Sequence, residues 1–437
     1  MTGVSSILDG ATPEVLIVGA GPAGSTLAGL LVALGIEVMV LDRAHFPREK
    51  ACGECLNPGG VEVLRRLGLL PAILETAPVP LAGWRLVTPE GTEAAGHFQP
   101  GVGTALGIRR GAFDHALLRA ARARGAVIHE GVHVSAIDFT GPRPVVEARP
   151  VGHSTTIRVH PRILVGADGL RSVVARAAGA VRTRTSRVKA SLSWRLEGPT
   201  PWGEGGMENG AAPRPLAHPP DSLGSLLLGG PFTAGLAPVR QTRSGARFLW
   251  SQTVVVDPRH YGDRLRTDRE GLRREALRAL AGPRADDFEP MGAPRGSGPF
   301  DRPNRWAARG SVFLVGDAAG YFDPLTGQGI YRALRSAELA APRLAHALRP
   351  TGEGPATGAQ AYDQEHREAF GPGRTLQRLI DHILERPTLR RCSIGLLSRL
   401  PGRVDTLIGV TGDRLSLRAL AMPSPPVPSP EPSSRTP

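Results

Sequence analysis

Val15-Leu16-Ile17-Val18, then Gly19-Ala20-Gly21-Pro22-Ala23-Gly24, then Ser25 to Gly35 with apolar residues at helical spacing, form the stretch that decides the fold. Four apolar residues make a buried strand, the G-x-G-x-x-G run a turn, and the periodic stretch a helix that starts at the turn. The first glycine permits the tight reversal, the second lets backbone N–H groups approach a pyrophosphate, and the third allows close packing of helix on strand. The partial positive charge at the helix N-terminus favours the same anion. A second apolar run, Ile36 to Leu41, ends in Asp42, 18 residues beyond Gly24, where a carboxylate accepts hydrogen bonds from ribose hydroxyls and repels a 2′-phosphate. The unit predicts two adjacent parallel strands and a dinucleotide held by Gly19, Gly21, Gly24, Asp42 and the neighbouring Arg43, FAD or NAD in preference to NADP.

Two further strand-to-helix turns follow. Ile163-Leu164-Val165-Gly166-Ala167-Asp168-Gly169-Leu170-Arg171-Ser172 places an Asp-Gly pair at the end of a buried strand. Asp168 or Ser172 caps the next helix, and a carboxylate there also faces the crevice in which open parallel sheets bind ligands. Val312-Phe313-Leu314-Val315-Gly316-Asp317-Ala318-Ala319-Gly320 runs on to Gly327-Gln328-Gly329-Ile330, the expected start of a helix. Asp317 suits a polyol hydroxyl, and helix N–H groups suit the negative edge of a reduced flavin.

Between these turns the periodicity switches to alternation, with predicted strands from Trp84 to Phe98, Val127 to Val159 and Ser191 to Val256, the last broken by the Gly- and Pro-rich stretch Pro199 to Pro220. Predicted helices cover Pro58 to Leu67 and Phe113 to Arg124, and the pattern is helical from Gly329 to about Leu420. The expected fold class is α/β: a Rossmann-type FAD-binding domain (12–80, 105–185 and 305–345), an inserted antiparallel substrate domain (81–104 and 186–304), a C-terminal helical region (346–420) and a disordered tail (421–437).

The 437 residues carry 53 Lys plus Arg against 40 Asp plus Glu, a net charge of +13 that raises the question of nucleic acid. Only Lys50 and Lys189 are lysines; the arginines interleave with acids, as in Asp268-Arg269-Glu270, and no nucleic-acid motif accompanies them, so no nucleic-acid partner is expected. No apolar run reaches the roughly 20 residues needed to span a bilayer, and Val15–Gly19 is too short for a signal sequence. A cytoplasmic location is expected, with peripheral membrane contact left open. Three cysteines fit a reducing compartment, and no second C-x-x-C or nearby His pair completes a metal site beside Cys52-Gly53-Glu54-Cys55.

Taken together, the three turns resemble the FAD-dependent oxidoreductases that share the para-hydroxybenzoate hydroxylase fold. Phe46-Pro47-Arg48-Glu49-Lys50-Ala51-Cys52-Gly53-Glu54 and the run from Gly316 to Ile330 resemble its geranylgeranyl reductase branch most closely. The resemblance implies tight FAD binding with contacts at Ala23, Asp42, Cys52, Gly53, Arg110, Val134, Asp317, Gly329 and Ile330, joined by Asp168 from the crevice argument. Arg110 opens the Arg-Gly-Ala-Phe-Asp run of the family and is placed to meet the pyrophosphate. Two positions depart from the pattern: Gly320 stands where aromatic hydroxylases usually carry histidine, and Cys55 where the family often has glycine. No second dinucleotide fingerprint appears, so NAD(P)H or another electron donor is expected to visit the flavin transiently.

The implied activity is oxidoreduction of a hydrophobic small molecule, by alkene (prenyl-type) reduction or by flavin-hydroperoxide monooxygenation. The flavin does the chemistry, with Cys52 and Glu54 as candidate catalytic residues. Three alternatives stand beside this. A flavin-dependent halogenase would carry Trp-x-Trp-x-Ile-Pro, whereas Ser193-Trp194-Arg195-Leu196 has one tryptophan. A thiol-disulfide flavoenzyme would use Cys52 and Cys55, which as a bland alternative simply pack beside the flavin; a non-catalytic flavin-binding protein would need neither. Trp194, Trp202 and Trp250 are the insert's few large rings. Leu376, Leu379, Ile380 and Ile383 form a helical stripe that either packs as core or covers a tunnel, with Arg374, Arg378, Arg386, Arg390 and Arg391 available to an anionic headgroup. Oligomeric state is open.

Overall fold

The computed structural model describes residues 8–422 apart from 183–187, 202–221, 243, 244, 246, 301, 322, 323 and 350–353. Trp202 and the expected tail beyond 422 lie outside the described residues.

The architecture is α/β. Val15–Val18, Val38–Asp42, Val127–Glu130, Ile163–Gly166 and Val312–Leu314 form a parallel sheet in the order 308–309, 312–314, 163–166, 15–18, 38–42, 127–130, closed at one edge by the antiparallel pair Ala308–Arg309. Val18 pairs with both Leu41 and Gly166, and Gly166 with Leu314, so three strands end side by side. The strands read as unbroken apolar runs because they are covered on both faces: helices Pro22–Ala33 and Gly329–Leu348, which pack on each other, and the antiparallel sheet of Val132–Asp138, Val145–Pro150 and Ile157–Val159 share their core, and Leu16, Ile17, Val40, Leu164 and Phe313 are fully buried.

The second sheet runs 289–290, 190–198, 248–256, 233–241, 223–227, 83–87, 93–97. It is antiparallel apart from the Gly83–Val87 and Leu223–Leu227 pair, which run parallel because those segments enter from distant parts of the chain. Alternation gives its strands two different faces. On Phe248–Val256, residues 248, 250, 254 and 256 bury against helix Arg269–Ala281, while Ser251, Thr253 and Val255 look toward the C-terminal helices. Trp194 and Trp250 therefore belong to the core behind the sheet. The insert also contains two helices: Pro258–Thr267, which its strand-rich reading did not anticipate, and Arg269–Ala281, where the interleaved charges of Asp268 to Glu275 already read as a solvated helix face.

Local boundaries shift for identifiable reasons. The helix expected from Phe113 starts at Arg110 and ends at Ala123, because Arg109 is extended and Arg110 already bridges one turn to Asp114. The C-terminal segment forms helices Pro355–Leu384, Pro387–Ser398 and Pro401–Thr411. The first of these begins as part of the Rossmann core: Tyr362 is fully buried, its hydroxyl donates to the Leu314 carbonyl at 2.9 Å, and its ring lies 5.7 Å from that of Phe313. Tyr362→Phe is expected to cost about 1 kcal/mol of stability and Tyr362→Ala about 3–5 kcal/mol by denaturant titration, the difference being the cavity left under the sheet.

Candidate functional site

The three turns surround one cavity of about 770 Å³ at the carboxyl ends of the parallel strands. Gly19, Gly21, Ala23, Asp42 and Arg43 line its first wall; Cys52, Gly53, Glu54, Arg110 and Val134 its second; Asp168, Asp317, Gly329 and Ile330 close it. Gly24 lies beneath, where a Cβ would sit 1.8 Å from the Gly19 carbonyl oxygen, so helix and strand meet as closely as the third glycine allows. A Cβ on Gly21 would point into the cavity, its nearest neighbour being an Arg48 guanidinium nitrogen at 3.4 Å. Backbone and cation thus converge where a pyrophosphate would lie.

Asp42 is braced for its expected task. Its carboxylate accepts from the Ala20 N–H at 2.7 Å and the Ala44 N–H at 2.8 Å, which fixes both oxygens at the cavity edge. Asp168 divides its roles: Oδ2 accepts from the Val173 N–H at 2.6 Å as part of a helix cap completed by Ser172, while Oδ1 is buried without a protein partner. Burial raises its pKa against those hydrogen bonds. An orphaned acceptor lining a cavity asks for a ligand hydroxyl. Asp317 lies 3.9 Å from Lys50 Nζ, which places the lysine between the second and third turns.

Arg110 is committed more deeply than its sequence suggests. It is buried, and two of its nitrogens bind Asp114 at 2.9 Å each, so it acts as a fixed charge under the cavity floor. Arg48, 3.3 Å from Asp114 and stacked 4.8 Å over the Phe46 ring, is the cation at the glycine turn. Sequence reasoning quoted Arg48 inside a motif without assigning it a contact; its position next to Gly21 depends on a loop that crosses the sheet.

Glu54 takes φ +54 and is buried, accepting from the Arg110 N–H at 2.9 Å and from Arg195 at 3.4 Å. Burial raises its pKa, opposed by the Arg110 hydrogen bond and the Arg195 charge. Arg195, on strand Ala190–Gly198, also binds Glu49 at 2.8 Å, and Arg109 binds Glu49 at 2.7 Å. Burial works to raise Glu49 as well, but the two arginines outweigh it and hold its carboxyl below the usual range. The network fastens the 48–54 loop to the second sheet, so Glu54 holds the loop in place while it lines the first cavity.

A second cavity, about 670 Å³, opens from the first where Gly53, Cys55, Thr253, Pro324 and Gly327 line both. The stripe Leu376, Leu379, Ile380, Ile383 and Leu384 forms one wall, the cavity face of strands 233–241 and 248–256 the opposite wall, and Trp84 one end. The stripe shares both readings: Leu376 is buried, Ile380 packs against an apolar cluster that contains Leu384, and all of these line the cavity. Among the described lining residues Arg403 alone is charged. The sequence hid this cavity because segments more than 300 residues apart build it.

Cys52 and Cys55 are free thiols. Burial, with Cys52 nearby, pushes Cys55 up to about 12, which disfavours the thiolate that disulfide exchange requires. No metal-binding cluster occurs among the described residues.

Residues 12–371 match the model of the family described as FAD binding domain, and the chain belongs to that family. The chain is 28% identical over 406 residues to rifampicin monooxygenase of Rhodococcus hoagii, covering 86% of this chain and 76% of that protein. It is 27% identical over 366 residues to digeranylgeranylglycerophospholipid reductase of Methanothrix thermoacetophila, 82% and 84% of the two chains. The chain spans 64% of conditioned medium factor receptor 1 of Dictyostelium discoideum and 60% of tryptophan 2-halogenase of Chondromyces crocatus, each 26% identical over 77% and 75% of this chain. The fold is shared with the flavin-dependent brominase Bmp2 (TM-score 0.74, 17% identity, 92% and 94% of the chains).

The glycine cradle, Arg48 beside it, the braced Asp42 and the orphaned Asp168 oxygen fit FAD, which these residues would hold along its pyrophosphate, ribose and polyol. Gly21→Leu should leave the circular dichroism spectrum unchanged and abolish the yellow flavin absorbance, and Arg48→Ala should weaken FAD binding by about tenfold or more, the worth of one charged hydrogen bond. Iodoacetamide at pH 8 should label exposed Cys392 and spare Cys55, as read by peptide mass spectrometry.

Proposed function

We propose that this member of the FAD-binding family is an FAD-dependent oxidoreductase that reduces a carbon–carbon double bond in a long, largely hydrocarbon molecule. The observation that carries the reading is the second cavity: its walls are aliphatic, it joins the dinucleotide cavity through Gly53, Cys55, Thr253, Pro324 and Gly327, and its volume falls within the ~300–1,000 Å³ range of small-molecule sites. The likeness to digeranylgeranylglycerophospholipid reductase extends over 82% of this chain and supports the same substrate class.

Bound FAD supplies two-electron transfer; the chain supplies the rest. N–H groups at the start of helix Gly329–Leu348 favour negative charge at the ligand edge they face. Aliphatic walls exclude water and align the substrate chain lengthwise. Hydride addition to an alkene leaves a proton to be added to the neighbouring carbon, and Cys55, Thr253 and Thr326 carry the exchangeable protons at the junction. Reduction of the spent cofactor draws on NAD(P)H or another donor from solution.

A second reading, monooxygenation, draws support from the likeness to rifampicin monooxygenase. The aliphatic walls of the second cavity suit a hydrocarbon chain better than a polar aromatic substrate, and that favours reduction. With chemically reduced enzyme and no oxygen, a polyprenyl alkene should gain two hydrogens per turnover. Ile380→Trp, which fills the cavity, should lower kcat/KM for long chains at least tenfold with FAD content unchanged, the cost of about 1.4 kcal/mol of lost transition-state binding. Product formed only with stoichiometric oxygen uptake would establish monooxygenation.

A further inference from the structure

The second cavity does not end inside the protein. Leu379, Leu396 and Leu400 line it and yet remain 55, 60 and 45% exposed, which marks its mouth between helices Pro355–Leu384 and Pro387–Ser398. Leu389 and Met422, 43 and 62% exposed, carry apolar surface outward from this part of the chain. Leu389, Ser393, Leu396 and Leu400 follow one another at helical spacing. A soluble surface gains nothing from a face of leucines around an opening; such a face marks a place that meets another apolar phase.

The charge around the mouth says which phase. Arg386, Arg391, Arg399 and Arg418 are exposed on the same segment. Its acids are mostly engaged elsewhere: Asp381 is buried against Lys189 at 3.3 Å, Asp405 accepts from the His97 N–H at 2.7 Å, and Asp413 accepts from Asn57 at 2.7 Å and Gln328 at 2.9 Å. Glu385 is the exposed acid among them. Exposed leucines accompanied by exposed arginines on the same segment match an anionic bilayer, whose headgroups attract the cations while its acyl region takes the leucines.

We propose that the Leu379–Leu400 rim docks on an anionic membrane surface and that substrate enters the cavity from the bilayer without crossing water. The proposal rests on the hydrocarbon-substrate reading for its purpose, but docking itself needs no turnover. No helix among the described residues is long and apolar enough to cross a membrane, so the contact is peripheral.

Flotation of the FAD-loaded full chain with vesicles tests it. The protein should float with phosphatidylcholine vesicles containing 30 mol% phosphatidylglycerol about tenfold more than with phosphatidylcholine alone, and the difference should fall as salt is raised. Leu389→Asp with Met422→Asp, neither lining the cavity, should lower flotation about tenfold while turnover of a detergent-solubilised substrate persists. Arg391→Gln with Arg399→Gln should remove the phosphatidylglycerol dependence. Absence of flotation at low salt, or binding unaffected by both double variants, overturns the proposal, as does a dimer in solution that the leucine substitutions dissociate without vesicle binding. Flotation without alkene reduction would leave the surface standing and remove the reductase reading.

Discussion

Three strands lying side by side in parallel register are the constraint from which the site follows. Because Val18, Gly166 and Leu314 are consecutive rungs of one hydrogen-bonded ladder, the turns that begin at Gly19, Ala167 and Val315 must emerge at the same edge. No turn needs to be long to reach the ligand. The same closeness makes glycine obligatory at position 19, whose φ of +103 and proximity to the Ala167 carbonyl leave no room for a side chain.

What was legible in the sequence is what chain neighbours decide. Glycine spacing, an acid at a strand end and a helix that opens on Gly329 are local signals, and the residues they pointed to line one cavity. Arg110 was legible as a cation placed for the pyrophosphate and illegible as half of a bidentate pair with Asp114, because that depends on the helix starting one turn earlier than its apolar pattern implies. Arg48 and Arg195 were beyond reading, and of the second cavity only the helical stripe of one wall could be read, because the rest requires knowledge of which distant segment lies opposite. The parallel pairing of Gly83–Val87 with Leu223–Leu227, which puts Trp84 in the cavity, is a case where no local pattern could have announced the neighbour.

Between the two sheets the joint is electrostatic. Glu49, Glu54, Arg109 and Arg195 exchange short contacts, and the hydroxyls of Ser251 and Thr253 reach the Cys52 carbonyl at 3.4 Å each. One loop is thereby pinned to the strand that walls the second cavity. Charges in such a half-buried network interact more strongly than on the open surface, and removing one member leaves the others unpaired. The loop's geometry beside the first cavity is therefore set partly by the sheet that walls the second.

Strand Phe248–Val256 serves two masters. Its even-numbered residues Phe248, Trp250, Val254 and Val256 pack into a closed core, where a change of one methylene group is felt, and its odd-numbered residues Ser251, Thr253 and Val255 face open space. A period of two thus separates the selection pressures acting on one short peptide. The shape and polarity of the cavity wall can be changed at alternate positions while the neighbours that hold the sheet together stay as they are, so the space in front of the sheet can be remodelled without first making the fold more stable.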